Sequence, residues 1–120
     1  MSNIQLKKII ESQESLALLS NMKFKAVKLF SISKFLEQCD AEIKKFNTVK
    51  NEKIKQYGTE KENDTYELDK ENQTVFFDEI NQLLELEIDI DVPEIVLEDF
   101  NDIEITPKQF LSLKWLIKGA

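Results

Sequence analysis

The residues of this chain that could do chemistry are mainly carboxylates, and the most regular set lies between positions 84 and 91. There, leucine or isoleucine alternates with Glu85, Glu87, Asp89 and Asp91. A period of two places alternate side chains on the same face of a strand, so these acids would form a straight row of negative charge. Such a row could imitate nucleic-acid phosphates or bind a basic protein. The residues that we predict to bind a partner are this row and the acids after it: Glu85, Glu87, Asp89, Asp91, Glu94, Glu98 and Asp99.

The acidic stretch, residues 84–104, also has a plainer interpretation. It would be the solvated face of an amphipathic strand and its loop, with carboxylates that protect a strand edge from aggregation. The pattern favours this interpretation over a partner surface. A calcium loop fits less well, because residues 89–93 lack a third oxygen ligand and the glycine that an EF-hand turn requires.

Catalysis and metal binding lack their usual residues here. The chain has no histidine and no arginine, and all 16 basic residues are lysine. Cys39 is the only cysteine, and without a histidine base we expect it to pack in the core. Paired carboxylates, or a serine with a lysine base, could be chosen from any sequence this rich in acids, and no local motif marks them. Neither Gly58 nor Gly119 belongs to a phosphate-binding loop. We therefore predict no enzymatic activity, no cofactor and no metal site.

Lysine and acid are unevenly distributed along the chain. Residues 1–57 contain 11 lysines and six acids, a net charge of +5, whereas residues 58–105 contain two lysines and 17 acids, a net charge of −15. Residues 106–120 add +3, which gives −7 in total. The total charge and the lack of arginine argue against direct nucleic-acid binding. We favour a fold or an oligomer in which the lysines neutralise the acidic segment. The lysines most crowded together are Lys44, Lys45, Lys50, Lys53 and Lys55.

The length and composition predict a single domain, residues 1–120, with an α+β fold that is mainly α. Two glycines and two prolines are too few for the many tight turns of a β-sandwich or barrel. Residues 1–57 would form a basic helical hairpin, and residues 58–120 an acidic α+β part that ends in a helix. The expected architecture is thus a helical hairpin or small bundle with a long second helix and short acidic strands.

Capping residues and apolar spacing predict four helices. The first would begin at a capping box, with Ser2 as N-cap and Gln5 three residues later, and end near Asn21. The second would cover residues 24–57 and end at Gly58 as a left-handed cap. At about 50 Å, it is longer than a compact domain is wide, so it must project or break.

The acidic part is predicted to mix short strands with two more helices. The third helix would cover residues 70–85. The fourth has Thr106 as N-cap, Pro107 as its first residue and Gln109 as the partner in a capping box. The predicted strands cover residues 66–68, 84–91, 95–97 and 103–105.

An apolar stripe along the long helix could serve as core or as an interface. Its residues recur in steps of three and four, which could form the seam of a coiled-coil dimer. Burial against the other helices of the same chain is the interpretation that we favour. The stripe consists of Leu29, Ile32, Leu36, Cys39, Ile43 and Phe46.

Neither a secretion signal nor a membrane span is predicted. Lys7 and Lys8 interrupt the apolar residues 6–10 too early for the apolar region of a signal peptide, and no uncharged run approaches the roughly 20 residues of a transmembrane helix. We therefore expect the protein in the cytoplasm of the host cell or in a virion, and not secreted.

Three segments carry a resemblance to known proteins. They are the end of the long lysine- and glutamate-rich helix at residues 55–58 with the polar turn after it at residues 58–64, the acidic run at residues 83–90, and the segment at residues 103–111. Together they resemble a family of small proteins carried by phages and prophages of low-GC Gram-positive bacteria, a family without an established active site. The resemblance implies a phage-encoded accessory protein. It assigns no residue a role.

The sequence therefore predicts a non-enzymatic protein that acts by protein–protein interaction, and two classes of function remain open. The first is a structural part or assembly factor of the virion or tail, which would form an oligomer through the stripe at residues 29–46. The second is an inhibitor that presents the acidic residues 84–104 to a host nucleic-acid-binding enzyme, such as a defence nuclease. We favour assembly slightly, because a solvated strand face already explains the acids.

Overall fold

A computed structural model describes residues 2–119 and confirms the predicted α+β, mainly helical, fold. Two antiparallel sheets of two strands each accompany five α-helices in this range. Short 3-10 turns cover Glu62–Asp64, Lys70–Asn72, Leu97–Phe100 and Lys114–Leu116. The regular elements are β1 (Ser2–Gln5), α1 (Leu6–Glu11), α2 (Gln13–Ser20), α3 (Ala26–Tyr57), β2 (Gly58–Glu60), β3 (Tyr66–Leu68), α4 (Gln73–Leu84), β4 (Glu87–Ile90) and α5 (Pro107–Leu113).

The described residues begin with strand β1, so the helix predicted from Ser2 was wrong at its start. β1 pairs antiparallel with β4, and Ile4 lies opposite Ile88. This pairing places both isoleucines toward the core, and the first helix begins only at Leu6. The predicted helix is also divided in two at Ser12, which ends α1 and precedes α2.

The long helix α3 is continuous over 32 residues and sets the shape of the molecule. At 1.5 Å per residue, a helix of this length extends about 48 Å. The molecule measures 52 × 29 × 24 Å, so α3 runs along nearly its whole length. Its buried residues are Ile32, Phe35, Cys39 and Phe46.

Gly58 ends α3, but through close packing and not through the left-handed cap that we predicted. Its φ of −121° and ψ of 175° are extended, and it begins β2. A β-carbon at this position would lie 2.5 Å from the carbonyl oxygen of Ile54 and 2.7 Å from that of Glu67. Only glycine allows β3 to approach the helix end so closely. β3 was predicted, whereas its partner β2 was not.

Two apolar clusters hold the helices and sheets together. The larger joins α1, α2, α3, β4 and α5, with Ile9, Phe35 and Leu113 fully buried. The smaller joins the start of α1 to α3 and α4. Ile88 packs against both clusters and so links them. Each cluster contains residues from the basic and the acidic parts of the chain, so the two parts share one core structure.

The C-terminal helix α5 begins as predicted. The Thr106 hydroxyl accepts a hydrogen bond from the backbone of Gln109 at 3.1 Å, and the Gln109 side chain accepts one from the backbone of Thr106 at 2.9 Å. α5 ends at Leu113 and continues as a 3-10 turn. Of the other predicted strands, residues 95–97 contribute a single parallel bridge, from Ile95 to Ile117, and residues 103–105 form none.

Candidate interaction surfaces

The four alternating acids do not form the predicted row on one strand. β4 begins at Glu87 because α4 continues to Leu84 and Glu85 caps its C-terminus in a helical conformation. β4 ends before Asp91, which packs against α3. The strand therefore carries only Glu87 and Asp89.

Glu87 and Asp89 lie on the outer face of the β1–β4 sheet. Both are exposed, whereas Ile88 is half-buried and Ile90 is buried. Their partners across the sheet are Gln5 and Asn3, also exposed. Neither acid makes an ion pair within residues 2–119. This face is thus a small, uniformly polar surface with two negative charges.

Asp91 is engaged inside the molecule by two residues of α3. The Gln38 Nε2 donates to Asp91 Oδ2 at 3.0 Å, and the Lys34 ammonium lies 2.9 Å from the same oxygen. The Asp91 backbone N–H donates to Gln38 Oε1 at 2.8 Å. The hydrogen bonds from Lys34 and Gln38 hold the pKa of the Asp91 carboxyl below its ordinary value of 3.8. Asp91 therefore connects the end of β4 to α3.

Asp99 and Glu94 also have partners within the fold. Asp99 Oδ2 accepts a hydrogen bond from the Val96 backbone at 2.8 Å and lies 3.3 Å from the Lys28 ammonium. Lys28 also donates to the backbone carbonyl of Glu94. The Glu94 carboxylate lies 3.1 Å from the Lys118 ammonium, where both side chains are well exposed. Of the seven predicted partner-binding acids, Glu85, Glu87, Asp89 and Glu98 are exposed without an ion pair to residues 2–119.

The acidic segment, residues 58–105, is partly neutralised, and one of the crowded lysines contributes: the Lys53 ammonium lies 3.5 Å from the Glu79 carboxylate. Lys44 and Lys45 pair with Asp40 and Glu42 on their own helix. The hydrogen bond with Asp40 raises the pKa of Lys44 above its ordinary value. The lysines that reach residues 84–104 are Lys28, Lys34 and Lys118.

The apolar stripe at residues 29–46 lies mostly in the core and is not available as a dimer seam. Ile32, Cys39 and Phe46 are buried, and Leu36 and Ile43 pack against the larger cluster. At 46% exposure, Leu29 is the exception, because the stripe leaves the core at its first residue.

Val27 and Phe30 are the most exposed apolar side chains among residues 2–119, and sequence reasoning missed them. Their exposed fractions are 85% and 75%. They lie three residues apart near the start of α3, so they are neighbours on the helix surface. At 100° per residue, they lie on the side opposite Ile32 and Cys39. Apolar residues out of phase with the buried stripe were the signal that could have revealed this surface.

Cys39 has the environment of a core residue. Its side chain is 1% exposed, and burial together with the nearby Glu42 raises the pKa of its thiol from 9.0 to about 12. A thiol held in this neutral form is a poor nucleophile. Across the described residues 2–119, no three carboxylate or thiol groups are arranged to hold a metal ion. No helix in the same range is both long and apolar enough to cross a bilayer.

Comparison with models of protein families, with curated proteins and with solved structures finds no match for this chain.

Proposed function

We propose that this protein is a non-enzymatic phage accessory protein that acts by binding another protein, in virion or tail assembly or as a structural component. The observation that carries the proposal is the exposure of Val27 and Phe30 at the start of α3. A phenylalanine exposed to 75% buries little of its apolar area in the folded chain, and aromatic side chains are enriched at the centres of protein interfaces. The phage context comes from the sequence resemblance, which implies a location in the host cell or the virion.

The exposed pair Val27 and Phe30, called here the α3 surface, replaces the stripe at residues 29–46 as the proposed contact. The stripe supports the core, so its use by a partner would require the fold to open. Val27 and Phe30 can be covered without any loss of internal packing. A partner contact of this apolar kind is expected to withstand high salt, since screening weakens charge pairs and not apolar burial.

Sedimentation of tagged protein with phage particles tests this proposal. Wild type should co-sediment with particles or assembly intermediates from an infected culture and remain bound at high salt. Phe30→Ser should lose this association. Leu111→Ser is the matched control, because Leu111 is an apolar side chain of similar exposure, 67%, on α5. Equal retention of all three proteins, or loss of association in the Leu111 variant alone, would contradict the proposed surface.

A second candidate function is inhibition of a host defence or nucleic-acid-binding enzyme through an acidic surface. Its supporting observation is the outer face of the β1–β4 sheet, where Glu87 and Asp89 are exposed side by side on one strand face. Two charges are a small imitation of a phosphate row, so we rank this function second. Glu85 and Glu98 are the other exposed acids of the predicted set.

The inhibitor function predicts a salt-sensitive complex with one basic enzyme. The pair Glu87→Gln and Asp89→Asn should abolish that complex, whereas Glu71→Gln and Asp78→Asn, an equal charge change at exposed positions elsewhere, should not. Phe30→Ser separates the two functions, because it should affect only the assembly contact. A complex that survives moderate salt and both acid pairs would exclude the inhibitor function.

A further inference from the structure

A cleft between the α1–α2 segment and the C-terminal segment combines lysine and serine side chains around the tryptophan. Its volume is about 740 Å³, and it is open to solvent. Ligand sites commonly fall between about 300 and 1,000 Å³. We propose that this cleft binds an oxyanion, the carboxylate or phosphate group of a small ligand. The residues that carry the proposal are Lys8, Ser12, Lys114 and Trp115.

The cleft has an excess of positive charge in a protein of net charge −7. Lys8 and Lys114 line it, and neither makes an ion pair with residues 2–119. Glu11 is the acid in the lining. Its carboxylate lies 4.0 Å from the ammonium of Lys7, a residue that does not line the cleft. An anion that enters therefore meets two ammonium groups that are not already paired with a carboxylate of residues 2–119.

Trp115 holds one of these ammonium groups in place. The Lys8 Nζ lies 4.9 Å from the centroid of the indole ring, within the range of a cation–π contact. This contact limits the positions of a long, flexible side chain and keeps its charge at the cleft. The indole Nε1 is buried without a hydrogen-bond partner among the described residues.

Ser12 supplies a buried hydroxyl group beside these charges. The hydroxyl hydrogens of Ser15 and Ser112 are already used in the contact between these two serines. Ser12 and Ser15 are each only 5% exposed. Ser15 Oγ lies 2.7 Å from Ser112 Oγ and donates to the Ser112 carbonyl at 2.6 Å, which fixes the two sides of the cleft relative to each other. Ser12 precedes α2 but makes no capping hydrogen bond with its side chain. Its hydroxyl is therefore not used to cap the helix, which is the role that serine usually has at this position.

The lysine charges, the tryptophan contact and the serine hydroxyl of the cleft do not depend on the proposed function, since Val27 and Phe30 line no part of the cleft. Ammonium and hydroxyl groups are the donors that protein sites use for carboxylates and phosphates. Without arginine, the cleft lacks a bidentate fork, so it should recognise charge more than exact geometry. A bare inorganic ion would occupy only part of the volume, and the full ligand should carry an additional organic group.

Trp115 is the only tryptophan, so its indole N–H gives one resonance that reports on the cleft. We would titrate isotope-labelled protein with inorganic phosphate, with acetate, and with chloride at matched ionic strength. Phosphate or acetate should shift the indole resonance in a saturable way, and chloride should not. Saturation by phosphate alone identifies a phosphate ligand, and saturation by acetate identifies a carboxylate ligand.

Single variants locate the bound anion. Lys8→Gln and Lys114→Gln should each weaken binding about tenfold, because each removes one charge-assisted contact. Lys50→Gln is the matched control, since it removes the same charge from α3 outside the cleft. A shift that stays linear to roughly 100 mM, or that chloride reproduces, overturns the proposal. Unchanged affinity in both cleft variants overturns it as well.

Discussion

The side-chain amide of Gln38 binds Asp91 through both of its polar atoms. Its nitrogen donates to the Asp91 carboxylate at 3.0 Å, and its oxygen accepts from the Asp91 backbone N–H at 2.8 Å. Gln38 thus acts toward the end of β4 as a neighbouring strand would, although it belongs to a helix. It ties α3 to the β1–β4 sheet beside the larger apolar cluster.

Gln38→Leu should destabilise the protein, because it leaves the backbone N–H of Asp91 without its acceptor. We expect the free energy of unfolding to fall by about 1–2 kcal/mol, which urea denaturation would measure. Glu37→Ala, an exposed change on the same helix, should stay within about 0.5 kcal/mol of wild type. Equal stability of the two variants would mean that water replaces the amide without cost.

Asp91 should make the stability depend on pH in acid. The hydrogen bonds from Lys34 and Gln38 lower its pKa in the folded state, so the folded protein releases this proton more readily than the unfolded chain. The resulting stabilisation is complete above the ordinary pKa of 3.8, and it is lost as the pH falls through the lower folded pKa.

Urea midpoints of wild type and Asp91→Asn, measured from neutral pH downward, test this dependence. The difference between the two proteins should be constant above the ordinary pKa and shrink below it. Asp89→Asn removes the same charge from an acid without an ion pair in residues 2–119, and so controls for net charge. A difference that grows as the pH falls would show that Asp91 is not stabilised as a carboxylate.

The elements predicted correctly from the sequence are those whose partners are local. The capping box of α5 needs only Thr106 and Gln109, and both of its hydrogen bonds are present. A similar signal at Ser2 and Gln5 failed because Ser2 pairs with Ile90, a residue far away in the sequence. A capping pattern describes one segment of the chain. It cannot reveal a distant strand that competes for the same backbone groups.

The candidate surfaces follow the same rule. Alternation alone placed Asp91 in a row with Glu87 and Asp89, since the spacing does not show that Lys34 and Gln38 lie beside it. Of the crowded lysines that we expected to neutralise residues 58–105, Lys53 pairs with Glu79 of that segment, whereas Lys44 and Lys45 pair with acids of their own helix. Periodicity did identify the buried stripe, and the same analysis could have marked Phe30 as out of phase with it.

Cys39 should resist alkylation while the protein is folded. A thiol pKa of about 12 in place of 9.0 implies about a thousandfold less thiolate at neutral pH, and the side chain is 1% exposed. Iodoacetamide labelling should therefore be slow in buffer and become fast in urea at the unfolding transition. Ser33→Cys in a Cys39→Ala background provides an exposed thiol on the same helix. Equally fast labelling of both thiols in buffer would contradict a buried, inert cysteine.

Phe30→Ala and Phe35→Ala make the same change on one helix and should differ sharply in stability. Phe35 is 0% exposed and packs in the larger cluster, so its truncation should cost about 3–5 kcal/mol. Phe30 is 75% exposed, and its truncation should change the free energy of unfolding by no more than about 0.5 kcal/mol.

Urea denaturation over a range of protein concentrations measures both Phe variants. If Phe30→Ala destabilises the protein only at high concentration, then Phe30 is buried between copies, and the partner in assembly is the protein itself. If the loss is equal at every concentration, then Phe30 packs within the folded chain, and the proposed α3 surface is wrong. A neutral effect at all concentrations leaves Phe30 free to bind a different protein, which the sedimentation experiment with phage particles identifies.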